Sequence, residues 1–216
     1  VASILLAFGI EAWWNNRQEA ELRERFLTTL EAELLQNIDL IDRRLSSTTA
    51  LEARVGRFLA LDPDAATEVR PDSAALMLQA LWRPGTSDLN NGVLLALLAS
   101  ESFSLIDDLP LQRAVAEWTT AVSGMSSRRD RILDLEVEAE RTLGRLSAVR
   151  PVLGWIDGAQ EVPPASTVDG LGQALRDPDV MALAATKALQ LRVYLGGMRQ
   201  QRELAASVLP AIRAGR

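Results

Sequence analysis

Apolar residues fall at helical spacing along almost the whole of this chain. "VASILLAFGI" opens it with ten uncharged residues, and the pair Trp13–Trp14 follows closely. Apolar positions then recur at Leu22, Phe26, Leu30, Leu34, Ile38, Ile41 and Leu45, and Val55 and Leu59 resume the series. Steps of three or four residues put them on one face of a helix. No Pro or Gly interrupts residues 10–55, and Asp62-Pro63-Asp64 supplies a stop. The pattern predicts one unbroken rod to about Leu61, rising roughly 60 Å from Leu22 at 1.5 Å per residue.

Shorter segments come next. "RPDSAALMLQALW" has Pro71 and Asp72 as a helix start, and "RPGTS" at 83–87 ends it. Ser87 is placed to cap "DLNNGVLLALLASESFSLI", whose apolar centre is too short to cross a bilayer. Pro110 begins another long helix, with Leu111, Val115, Trp118, Val122 and Met125 continued by Ile132, Leu135, Ala139, Leu143 and Leu146, and Pro151 as its close. Residues 150–176, rich in Pro and Gly, predict an irregular connection with one short helix. Asp177, Pro178 and Asp179 open the last helix, whose stripe runs from Met181 and Ala184 to Ala205 and Leu209. Three long helices and one pair of short ones predict an all-α, up-down-up-down bundle whose second element is broken in two. No strand or internal repeat stands out.

The opening segment changes the picture. A membrane-spanning helix needs roughly 20 apolar residues, and about ten precede Glu11. Trp13 and Trp14 stand where apolar sequence turns charged, with Asn15, Asn16 and Arg17 next, as at a membrane–water interface. Residues 1–14 therefore read as the C-terminal part of a transmembrane anchor, with Trp13, Trp14 and Arg17 at the headgroups, and 15–216 as an extramembrane helical domain. The lipid bilayer is then one expected partner. Other membrane proteins, or further copies of the chain, are the rest.

Composition narrows the chemistry. Of 216 residues 48% are hydrophobic, enough for a core, and the net charge of −6 argues against nucleic acid. The absence of Cys and His removes thiol chemistry, haem ligation by either residue, the usual zinc sets and His-based triads. No catalytic, cofactor-binding or metal-binding residue is expected, and no cofactor. Glu136, Glu138 and Glu140 alternate and so diverge on a helix, as do Glu31 and Glu33; a solvated helix face is expected of them. "GLGQA" at 170–174 lacks the preceding strand and Lys of a nucleotide loop. Trp118 and Tyr194 lie on apolar stripes and are read as core. Lys187, the only Lys, is read as composition bias. Trp155, in the Gly/Pro connection, is the candidate partner contact.

Two stretches, "SILLAFGIEAWWNNRQE" and "NNGVLLALLASESFSLIDDLPLQRAVAEW", resemble a family of uncharacterised bacterial single-pass membrane proteins. In the second, Leu105, Ile106, Asp107, Leu111, Ala114, Ala116 and Trp118 stand at that family's pattern positions, with Glu101 a departure where a small residue is usual. The resemblance implies an N-terminal anchor in the bacterial inner membrane and an all-helical periplasmic domain, and nothing about chemistry. The expected role is an accessory or scaffolding subunit of a membrane protein complex. The alternative is a membrane-proximal sensor bundle binding a small ligand.

Overall fold

A computed structural model of the chain describes residues 2–82, 108–154 and 166–214. Among the described residues every regular element is a helix. Helix α1 runs Ala2–Ala60 without a break, as the uninterrupted stripe predicts. A 3-10 helix, Pro63–Glu68, follows, its start fixed by Asp62, whose carboxylate accepts from the Asp64 N–H at 2.8 Å. Helix α2 is Pro71–Trp82 and α3 is Leu109–Leu143. Asp108 opens α3 by accepting from the Leu111 N–H at 3.2 Å. The short α4 is Arg150–Gly154, α5 is Thr167–Arg176, and α6 is Pro178–Ala214. Asp177 caps α6, accepting from the N–H groups of Asp179 and Val180 at 2.9 and 3.0 Å. This follows from the Asp-Pro-Asp start signal. Pro151 departs from expectation. Helix α3 already ends at Leu143 in a series of tight turns through Leu146, and Pro151 occupies the first turn of α4 instead. The apolar centre 93–99 lies outside the described residues.

Along each of the three long helices one series of buried positions keeps a regular spacing. Along α6 one buried series runs Val180, Ala184, Lys187, Leu191, Tyr194, Met198, Gln201, Ala205, Val208 and Ile212, with Ala188, Leu195 and Gly197 buried beside it. The steps alternate four and three throughout. In α3, Leu111, Val115, Trp118, Val122 and Met125 lead, past half-buried Arg129, to Ile132, Glu136, Ala139 and Leu143 with the same alternation. In α1, Leu27, Leu30, Leu34, Asn37 and Ile41 lead past Arg44 to Thr48, Leu51, Val55 and Phe58. A 3.5-residue period is the seam of coiled-coil packing, in which a side chain fits between those of facing helices. Polar residues interrupt each seam.

The chain divides into two compact units. The first takes α1 to Asp42, α3 to Gly124 and α6 from Arg199; the second takes the remaining helices and helix segments. In the first, Phe26, Leu27, Leu30 and Leu34 cluster with Leu111, Val115, Trp118 and Val122 of α3 and Ala205, Val208 and Ile212 of α6. Arg213 donates to Glu31 at 2.7 Å and Arg202 to Asp42 at 2.5 Å. Numbers rise on α1 as they fall on α6, so these two helices are antiparallel there. In the second unit Arg192 of α6 donates to Glu52 of α1 at 2.8 Å. Helix α5 packs on the 3-10 helix and on α2. Gly170 makes a close approach possible: a Cβ there would lie 2.8 Å from the Ala148 carbonyl oxygen.

The membrane expectations are overturned. No helix among the described residues is long and apolar enough to cross a membrane. The single-pass anchor, the inner-membrane placement and the periplasmic domain fall with it. On α1 the apolar residues give way at Glu11, and Arg17, Glu19, Glu21, Arg23, Glu24 and Arg25 follow on the same helix, so no window of it is apolar enough.

Candidate functional site

The first constellation lies inside the second unit. Lys187 projects from the α6 seam with its side chain 2% exposed. Its ammonium donates to Glu136 Oε1 of α3 at 3.0 Å and to the backbone carbonyl of Leu81 at 3.0 Å. Leu81 is next to the last residue of α2, so its carbonyl is one that the helix cannot satisfy internally. One ammonium thus joins three helices. Burial pulls the Lys187 pKa below its ordinary value, and the carboxylate of Glu136 pulls it partly back. Beside it is a cavity of about 10 Å³ lined by Leu81, Leu135, Ala139, Leu143 and Ala184 among others, space for a single water at most. No substrate fits there. The arrangement can fix the register of three helices.

Glu136 corrects the reading of the acidic cluster as solvated. Glu138 and Glu140 are exposed, but Glu136 is buried at a seam position. Glu33 is buried as well. A signal was present: Glu136 stands four after Ile132 and three before Ala139, and Lys187 three after Ala184 and four before Leu191. Lys187 also breaks an otherwise all-Arg pattern.

A second polar layer holds Tyr194, which takes a hydrogen bond from the guanidinium of Arg44, with Arg129 nearby. Burial raises the Tyr194 pKa and both arginines oppose this; burial lowers that of Arg44. Trp118 and Tyr194 are core residues, as expected.

An open groove of about 530 Å³ runs along α5 and the 3-10 helix, lined by Pro63, Ala66, Val168, Asp169, Gly172 and Arg176 among others. Arg176 lies across it, donating to Asp64 at 2.8 Å and to the Pro63 and Gly172 carbonyls at 3.3 Å. "GLGQA" therefore belongs to helix α5, not to a loop. Gly172 leaves room for the guanidinium, since a Cβ would lie 3.3 Å from Arg176 Nη1.

The third feature is the exposed start of α1. Ile10, Trp13 and Trp14 are 58%, 58% and 61% exposed, and Leu22 is 44% exposed. The indole rings sit tilted, 6.5 Å apart, and Arg17 stacks its guanidinium over Trp13 at 5.8 Å. Arg17 also pairs with Glu21 at 3.4 Å. Trp13, Trp14 and Arg17 are thus brought together. Trp155 lies outside the described residues. Among the described residues no group of three or more acidic side chains could hold a metal ion.

No protein family, curated protein or solved structure matches this chain.

Proposed function

We propose that the chain is an accessory or scaffolding subunit of a protein complex, an up-down bundle whose helix α1 is the element of association. The observation that carries this reading is the Ile10–Trp13–Trp14 surface. Large apolar side chains more than half exposed together on one helix are characteristic of a surface that a partner covers, and Trp is the side chain most enriched at binding hot spots. Polar seam contacts such as Lys187–Glu136 support the same reading, because they favour one register over its neighbours. The test is site-specific photo-crosslinking in the native host. A photoreactive residue at Trp14 should yield adducts with one defined protein, while the same group at exposed Thr186 yields none. Equal labelling at both positions would refute the reading.

A second reading, a ligand-sensing domain, is favoured by the groove at Arg176. Its volume of about 530 Å³ is within the usual range for small-molecule sites, and its lining sets the Arg176 guanidinium among apolar Pro63, Ala66 and Val168 and acidic Asp169 and Asp177. Thermal-shift screening with carboxylate-bearing metabolites tests this, with Arg176→Ala expected to abolish any stabilisation seen.

A further inference from the structure

We propose that the groove along α5 binds a short peptide with free termini, its ammonium on Asp169 and its carboxylate on Arg176. The proposal rests on the groove being a ligand site and names the ligand. Asp169, Gly172, Gln173 and Arg176 follow one another at i, i+3, i+4 and i+7, so one face of α5 forms a wall of the groove. The two charged side chains on that face are of opposite sign and stand about 10 Å apart along the helix axis. Asp169 is exposed, and no described residue engages its carboxylate. Arg176 has N–H groups to spare beyond those it gives to Asp64 and to the Pro63 and Gly172 carbonyls. Its pair with Asp64 is largely exposed, so a ligand carboxylate can share or replace that partner at little cost. Asp177 lies at the same end, but its Oδ1 is held by the N–H groups that open α6, and that helix start offsets its charge.

The middle of the groove suits a peptide backbone. Gln173 Oε1 accepts from the Ala148 N–H at 3.2 Å, which leaves the amide nitrogen to donate to a ligand carbonyl. Thr67 adds an exposed hydroxyl to the lining. Gly172 carries no side chain, so a second backbone can lie close against α5. Ala66, Leu146 and Val168 supply apolar surface for small side chains. An extended peptide covers about 3.5 Å per residue, so three residues match the separation of the charges. A free amino acid, with both charges on one carbon, does not.

Isothermal titration of the full chain with tri-alanine tests this. Tri-alanine should bind and alanine should not, while N-acetyl-tri-alanine and tri-alanine amide should each bind about tenfold more weakly than tri-alanine. Asp169→Asn should weaken tri-alanine by the same factor and leave N-acetyl-tri-alanine unchanged, with helix content preserved by circular dichroism. That pairing assigns the ammonium to this carboxylate. Equal affinity for free and blocked peptides overturns the proposal, as does an Asp169→Asn chain that binds tri-alanine as tightly as the parent. If succinate stabilises the chain through Arg176 and tri-alanine does not bind, the proposal fails and the ligand-sensing reading stands. If neither binds, both fall.

Discussion

Burying the ammonium of Lys187 carries a desolvation cost that only its contacts offset. With Glu136 and the Leu81 carbonyl in place, the charge is compensated on two sides. Remove one partner and the other charge remains buried, which costs about 3–5 kcal/mol, whereas replacing both by apolar groups of similar volume is often neutral or stabilising. Glu136→Ala is therefore expected to lower unfolding free energy by roughly that amount in urea titrations, and Lys187→Met with Glu136→Leu to recover most of it. A double variant as unstable as the single would mean that packing, not charge, fixes this site. Gly170 makes a different demand. Gly170→Ala places a methyl 2.8 Å from a backbone oxygen that no rotamer can move, so a loss of about 1–3 kcal/mol is expected in the same titration.

At the scale of the helix, burial and not surface charge is expected to dominate. Arg202 and Asp42 are nearly half exposed, and exposed pairs contribute roughly 0–1 kcal/mol. Leu30 is buried in the three-helix cluster, and Leu→Ala in such a place costs about 2–5 kcal/mol. Arg202→Ala should barely move the melting temperature, while Leu30→Ala should lower it strongly; the reverse order would deny that the seams hold the first unit together. Leu34→Pro should cost roughly 3 kcal/mol or more, because α1 is unbroken there. Much of this was legible in the sequence. The extent of α1, the Asp62 stop, the Asp177 cap and the stripes of α3 and α6 all follow from local rules of spacing and capping. What sequence could not supply was the partner of a polar seam residue. Glu136 and Lys187 are separated by 51 positions, and nothing local tells a buried acid on a stripe from a solvated one. The opening apolar run misled for a related reason: Trp residues beside charges mark a lipid interface and a protein-docking face alike.

For the molecule as a whole, two buried groups set opposite slopes of stability against alkaline pH. Lys187 is driven below its ordinary 10.5, mainly by burial, with Glu136 opposing. Between its folded value and 10.5 the unfolded chain binds a proton that the native chain releases, so stability rises with pH across that window. Tyr194 is driven above its ordinary 10.0 by burial, against Arg44 and Arg129. Above 10.0 the unfolded tyrosine ionises while the native one stays protonated, so stability falls as pH continues upward. The two contributions act at neighbouring pH, and their sum has a maximum near where the windows meet. Substituting one group at a time separates them. In urea midpoints measured across alkaline pH, Lys187→Met should remove the rising limb and Tyr194→Phe the falling one. A rising limb that persists in Lys187→Met would assign it to another group and deny that the Lys187 ammonium carries the cost of its burial.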